Sequence, residues 1–226
     1  MHTELERLEE MGCWRLMDTP PEANILGSKW VYALKLKPDS TIDRYKARLV
    51  VQGFKQKREV DFEDTFASTA GKCTIRMFFA IVNQLNLHCH MLDVTTAFLY
   101  GFCDKDIFMK QAPGFENGSG QVCHLVRALY GLKQAPRIWQ ERLATALIGI
   151  GFIASYMDPN LYVLVRGTQI LFLLDYVDDI LLASADLEIL VSVKQQLCEE
   201  FKITDMGEVQ KYVGFEVHRN RDEGQT

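Results

Sequence analysis

Asp178 and Asp179 stand side by side inside the apolar run ILFLLDYVDDILLA (residues 170–183), with Asp175 close before them. Two carboxylates held a few ångströms apart repel, which raises the pKa of one unless a cation lies between them. A divalent metal resolves that conflict, and hard oxygen ligands favour magnesium or manganese over zinc. Neighbouring strand residues point to opposite faces, so the pair can converge on one site only where the strand turns. The apolar run before them and ILLASA after them read as a hairpin with both aspartates at its tip. Asp-Asp is a poor two-residue turn, because the favoured turns need positive φ and take Asn-Gly or Asp-Gly. A poor turn in a hydrophobic hairpin points to function; the competing reading is an exposed acidic turn.

A third carboxylate decides between them. Asp93 lies near the end of HCHMLDV (88–94), which reads as a short strand. If that strand neighbours the hairpin in one sheet, Asp93 joins the tip, and the cluster can hold two metal ions about 3.5–4 Å apart, the geometry of in-line attack at a phosphate. His88 and His90 share a face of the same strand, but no third nitrogen or sulfur ligand at suitable spacing accompanies them, so they read as structural.

The elements that must position these residues follow from hydrophobic period. SKWVYALKLKP and RYKARLVVQGF alternate as two strands around the polar turn DSTID. CTIRMFFAIVNQLNL has helical spacing, TTAFLYG reads as a helical turn, and QAPGFENGSGQ is a loop. APRIWQERLATALIGIGF is a helix with Pro136 in its first turn. NLYVLVR and ILFLLDYV read as strands. ADLEILVSVKQQLCEEF is a helix with Leu187, Leu190, Val191, Leu197 and Phe201 on one face, and EVQKYVGFEVHR is strand-like. After residue 87 the order of strand, helix, strand, strand, helix, strand predicts an α+β sandwich, with helices on one face of a mainly antiparallel sheet.

With 226 residues, 48% of them hydrophobic, the chain can bury its own core as one large domain or two lobes. The net charge of -5 hides an asymmetry: residues 29–58 carry nine Lys and Arg against two Asp, a local +7, and the remainder carries -12. A basic segment on an acidic body is a footprint for phosphates, or else a solvated charged hairpin. The charged N-terminus, and the lack of any uncharged run of about 18 residues, point away from secretion and from membrane spanning. Six cysteines without CxxC pairs fit reduced thiols in an intracellular protein.

YVDD (176–179), LDVTTAFLYG (92–101) and LYGLKQAPRIW (129–139) resemble the reverse transcriptase of copia-type LTR retrotransposons. The likeness continues through KWVYALKLKPDSTIDRYKARLVVQGF (29–54), DFEDTFAS (61–68), KQAPGF (110–115) and FKITDMGEVQKYVGFEV (201–217). The resemblance implies one reverse transcriptase domain over 1–226, with fingers over about 14–86 and palm over about 87–226, part of 102–136 returning to the fingers. It implies no thumb, ribonuclease H, integrase or protease segment. The implied reaction is RNA-directed and DNA-directed DNA synthesis, with an RNA or DNA template, a primer and deoxynucleoside triphosphates as partners.

By the same resemblance Asp93, Asp178 and Asp179 are the catalytic residues and hold two Mg2+ (or Mn2+) ions. Lys46 and Arg48 meet the triphosphate, and Phe98 lies against the sugar. Gly131, Gln134, Tyr176 and Val177 line the nucleotide site, with Lys133 and Arg137 adding charge. Val213, Gly214 and Phe215 belong to a hairpin that grips the primer. Further implied partners are the remaining polyprotein segments or a second polymerase chain, with no membrane, in the cytoplasm or a virus-like particle with access to the nucleus. The chain departs from the family pattern at Ser68 (usually proline), at Phe102 and Cys103 (usually acidic and apolar) and at Asp175 (usually apolar). Two readings stay open: a metal-dependent polymerase, and an inactive relic with residual nucleic-acid binding through residues 29–58.

Overall fold

The computed structural model describes residues 1–36 and 41–219; residues 37–40, with the start of the expected DSTID turn, lie outside the described residues. Along the chain come α1 (His2–Glu10), β1 (Trp14–Met17), β2 (Ile25–Leu26), β3 (Ser28–Leu36), β4 (Ile42–Val51), α2 (Lys72–Gln84) and β5 (His88–Val94). They are followed by β6 (Phe102–Met109), β7 (Val122–Arg127), α3 (Ala135–Ile150), β8 (Ile153–Ala154), β9 (Leu161–Arg166), β10 (Gln169–Tyr176) and β11 (Asp179–Ser184). The last are α4 (Leu187–Glu200), β12 (Ile203–Glu208), β13 (Lys211–Tyr212) and β14 (Phe215–Glu216). The chain forms two compact units, residues 1–66 with 98–139 and residues 67–97 with 140–226.

The first unit holds a four-stranded sheet in the order β1-β7-β6-β2 and the separate long hairpin β3–β4. In that hairpin Val31 faces Arg48 and Ala33 faces Lys46, while Trp30 faces Leu49 and Tyr32 faces Ala47. Cross-strand partners share a face, so Lys46 and Arg48 lie together on one side, as their alternation predicts.

The second unit is built on an antiparallel six-stranded sheet in the order β12-β5-β11-β10-β9-β8. Its central strands are apolar on both faces because both faces are covered. On α2, Ile75, Phe78 and Val82 fall on one stripe and bury in a cluster with Leu174, Leu181 and Ala183. Ile180 and Leu182 point to the opposite face, where Leu182 is the register partner of His90. There Lys194 of α4 donates to His90 Nδ1 at 2.6 Å. The α+β class holds, but the helices cover both faces of the sheet and not one. Helical period shows which stripe of a helix is apolar and is silent on which sheet face meets it. For the same reason α2, expected with the rest of 14–86, belongs to the second unit, and residues 98–139 form part of the first.

Candidate active site

The β10–β11 hairpin closes one residue earlier than the sequence suggests. Tyr176 pairs with Asp179, so the two turn residues are Val177 and Asp178, and Asp179 already belongs to β11. Val177 has φ of 60°. That is the first position of a turn that ordinarily takes glycine, here filled by a β-branched residue. The expected Asp-Asp tip is therefore a correction of register; the expectation of an unusual turn stands.

This turn brings the carboxylates together. Asp179 is the register partner of Asp93 in the adjacent strand β5, and Val94 N–H donates to Asp178 O at 2.8 Å. Directly opposed side chains in an antiparallel pair lie ~4.5–5.5 Å apart at Cβ. Burial, and then the charges of Asp93 and Asp178, push the Asp179 carboxyl above the usual carboxylate range. Acidic oxygens gathered from a turn and two adjoining strands are the hard donor set that suits divalent cations.

Asp175 faces away from this cluster, on the side of its register partner Ile180. It is 3% exposed and its Oδ1 makes no hydrogen bond. Burial, then Asp178 and Asp158, push its carboxyl well above the usual range. Its own N–H donates to Asn160 O at 2.9 Å. Asn160 belongs to a polar network: its Nδ2 donates to Ser68 Oγ at 3.1 Å and to Asp158 Oδ1 at 2.9 Å, and Gln140 Nε2 donates to Ser68 Oγ at 2.7 Å. Ser68 N–H donates to Gln140 Oε1 at 3.2 Å. A proline at position 68 has neither the N–H nor the hydroxyl, so this departure from the family pattern is built into the network. Burial raises Asp158, but hydrogen bonds from Thr74, Gly71 and Asn160 outweigh it and hold the carboxyl below its ordinary value.

Tyr176 is half-buried, its ring 6.5 Å from that of Tyr212. Tyr212 is buried and ends β13, and the turn to β14 is Val213–Gly214 with φ of 45° and 83°. Two positive φ values in a two-residue loop define the tight hairpin turn of type I′. Val213, Gly214 and Phe215 thus form the tip of a hairpin docked through Tyr212, where periodicity alone reads one edge strand.

In the first unit Arg48, Phe98 and Tyr130 form one cluster. The Arg48 guanidinium lies 4.8 Å from the Tyr130 ring centre, and the Tyr130 and Phe98 rings are 4.6 Å apart at 57°. Phe98 is buried, on the short 3-10 turn Ala97–Tyr100. The loop carrying Tyr130 is fixed to β4: Val51 N–H donates to Tyr130 O at 2.8 Å. Gly131 has φ of 97°, and a Cβ there would lie 2.1 Å from Val51 O, so only glycine allows the approach. Tyr130 was not singled out from the sequence; its ring is the joint between two residues that were.

Gln134 does not line an accessible site. It is fully buried, donating to Asp61 O at 2.8 Å and accepting from Gln56 Nε2 at 2.9 Å. Its amide holds the loop together, which corrects the nucleotide contact expected of it. Lys133 donates to Gln56 O at 3.3 Å and lies 4.6 Å from the Phe62 ring centre, and Arg137 pairs with Asp104 and donates to Asp64 O at 3.0 Å.

Comparison with known proteins agrees with the motifs. The family model described as "Reverse transcriptase (RNA-dependent DNA polymerase)" matches residues 11–224. The chain is similar to the retrovirus-related Pol polyprotein from transposon RE1 of Arabidopsis thaliana, 38% identical over 91% of this chain and 14% of that protein. It is also similar to the Pol polyprotein from transposon TNT 1-94 of Nicotiana tabacum, 36% identical over 98% of this chain and 17% of that protein. The chain therefore spans under a fifth of the length of these curated relatives. Among solved structures, the prototype foamy virus protease–reverse transcriptase is similar with a TM-score of 0.46 at 16% identity, covering 89% of this chain and 22% of that one.

Proposed function

Because the chain belongs to the reverse transcriptase (RNA-dependent DNA polymerase) family, we propose that it carries out template-directed DNA synthesis by two-metal nucleotidyl transfer at Asp93, Asp178 and Asp179. In this reading the first unit supplies the fingers and the second the palm. The observation that supports it most is the register: Asp93 and Asp179 oppose each other on adjoining strands, with Asp178 in the turn.

The residues suited to hold two Mg2+ or Mn2+ ions are Asp93, Asp178 and Asp179. When bound, such ions activate the primer 3′-hydroxyl and neutralise charge on the triphosphate and the departing pyrophosphate. The chain's own contribution is placement. The β5–β11 pairing and the strained turn fix the carboxylates before substrate arrives. Arg48 and Lys46, sharing one hairpin face, meet the triphosphate of the incoming deoxynucleotide, Arg48 as a fork and Lys46 as a point charge. Phe98 takes the sugar side, with Tyr130 against both it and Arg48 and Gly131 allowing the loop to close on β4. Tyr176 and Val177 are nucleotide-site residues by the family resemblance, beside Asp178 at the hairpin turn. The Val213–Phe215 tip rests on the primer. Template–primer, deoxynucleotides and the rest of a polyprotein are the partners of this reading.

Primer extension on an RNA template, with magnesium and deoxynucleotides, tests it. Wild type is expected to incorporate and Asp178→Asn to lose at least about a hundredfold in rate, with unchanged circular dichroism; full activity in the variant would remove Asp178 from the proposed role. The second reading, an inactive relic that binds nucleic acid, draws on one observation, the buried Asp175 on β10, whose Oδ1 makes no hydrogen bond. It predicts folded wild type that binds template–primer without incorporation.

A further inference from the structure

On the sheet face opposite Asp93, β5 presents His88 and His90, two residues apart on one strand and therefore side by side. The sequence offers them no third ligand, but the fold does. Strand β12 pairs with β5 through a register shift: Asp205 faces Leu92 and Gly207 faces Met91, leaving Met206 as the extra residue of a bulge at which Gly207 adopts φ of 71°. In a regular strand Glu208 would point away from the face that Asp205 occupies. The bulge reverses that parity and makes Glu208 the register partner of His90. One ligand atom from each of His88, His90 and Glu208 then lies within 4.8 Å of the other two.

The geometry points to a binding site for a single borderline transition ion, zinc as the reference case, held by His88, His90 and Glu208. Two imidazoles and one carboxylate, with a fourth position left to water, form a common zinc set. Imidazole selects zinc, nickel or copper over magnesium, so this site is chemically distinct from the carboxylate cluster on the other face. His88 Nδ1 and Glu208 Oε1 are 3.9 Å apart. Tetrahedral ligands at zinc bond lengths of ~2.0–2.1 Å are about 3.3 Å apart, and the Glu208 side chain, 58% exposed, can close that gap by a small rotation.

Lys194 is the gate of this site. Its ammonium donates to His90 Nδ1 at 2.6 Å and to Asp205 Oδ2 at 2.7 Å. A lysine donating to Nδ1 occupies that lone pair and leaves the proton on Nε2, so neither nitrogen is ready to ligate until Lys194 gives up the imidazole. It keeps Asp205 when it does. Metal occupancy and the Lys194–His90 bond therefore exclude each other, and removal of the lysine favours the metal.

The test is a zinc titration of the whole purified chain with magnesium present throughout, read by calorimetry and, with cobalt in place of zinc, by visible ligand-field absorption. The expected result is one ion per chain. His88→Asn and His90→Gln each weaken it by about tenfold or more, and Lys194→Met tightens it by about tenfold. Glu208→Gln, at an exposed position, weakens binding while leaving the metal-free melting temperature unchanged. A purely structural role for these residues predicts no effect of Lys194→Met on metal affinity. Absence of saturable zinc binding in wild type overturns the assignment. So does binding that survives loss of both histidines, which would place the ion elsewhere, for example at the exposed thiols Cys73 and Cys198.

Discussion

Asp175 and Tyr130 show what single side chains contribute beyond the motif. The folded-state pKa of Asp175 is raised by burial and by Asp178 and Asp158, so the folded protein keeps a proton that the unfolded chain loses above about pH 4. A carboxyl raised on folding costs stability as pH climbs from the unfolded value through the folded one, and the cost is fully present above it. Asp175→Val is expected to stabilise the protein at pH 7 by about 1–3 kcal/mol, with a smaller gain near pH 4, measured by urea denaturation at both pH values without metal; a less stable variant at pH 7 would show that the carboxyl has a compensating partner. Tyr130 is argued from its ring. A cation–π contact contributes ~0.5–2 kcal/mol and an aromatic pair ~0.5–1.5 kcal/mol. Tyr130→Ala is therefore expected to raise KM for a deoxynucleotide about tenfold, and Tyr130→Phe to leave it nearly unchanged, in single-nucleotide steady-state assays. Equal damage from both substitutions would assign the effect to the hydroxyl. Asp93, Asp178 and Asp179 were legible in the sequence because carboxylates inside apolar runs demand an explanation. Tyr130 was not, because a tyrosine in a loop shows nothing of the arginine and phenylalanine that fold against it, and Gln134 misled because an amide reads alike in a pocket and in a core.

Turns and bulges at the level of elements decide where the side chains point, and they are where sequence and structure part. Strands β5, β10 and β11 follow from apolar alternation and runs, so the sheet that carries the aspartates was readable. The one-residue shift of the turn was not, because valine at positive φ is a conformation that propensity argues against. The bulge that turns Glu208 toward His90 was hidden for a similar reason: it changes parity without changing the run of residues. Val177 holds φ of 60° at a conformational cost of ~1–3 kcal/mol. Replacing it by glycine removes that strain, while glycine adds ~0.4–1 kcal/mol of unfolded-chain entropy. Val177→Gly is thus expected to raise stability by about 1 kcal/mol in urea denaturation and to slow primer extension, since a freer turn places Asp178 less sharply. A variant that is both less stable and equally active would show that the valine side chain, and not its backbone, matters at the turn.

The whole molecule distributes its charge unevenly between units that the chain visits twice. Residues 1–66 with 98–139 carry 16 Lys and Arg against 15 Asp and Glu, while residues 67–97 with 140–226 carry 9 against 15. Residues 98–139 join the first unit; the family resemblance implied a return to the fingers only for part of 102–136, and periodicity is local and does not report which unit a strand joins. The basic asymmetry itself was plain in the composition of 29–58. Lys29, Lys46 and Arg48 share one face of the β3–β4 hairpin by register, against an acidic second unit that repels a polyanion. Template–primer is therefore expected to bind with strong salt dependence, because phosphate contacts release counterions and each contributes a slope of about 0.9 in log K against log salt on a duplex. Lys46→Gln and Lys29→Gln are each expected to weaken binding without altering sequence preference and to lower that slope by roughly one contact's worth, measured by fluorescence anisotropy across a salt series. Arg48 is left out of this test because its contact with Tyr130 would mix packing with charge. Unchanged slopes in both variants would move the phosphate footprint off the hairpin and leave its cations to the triphosphate alone.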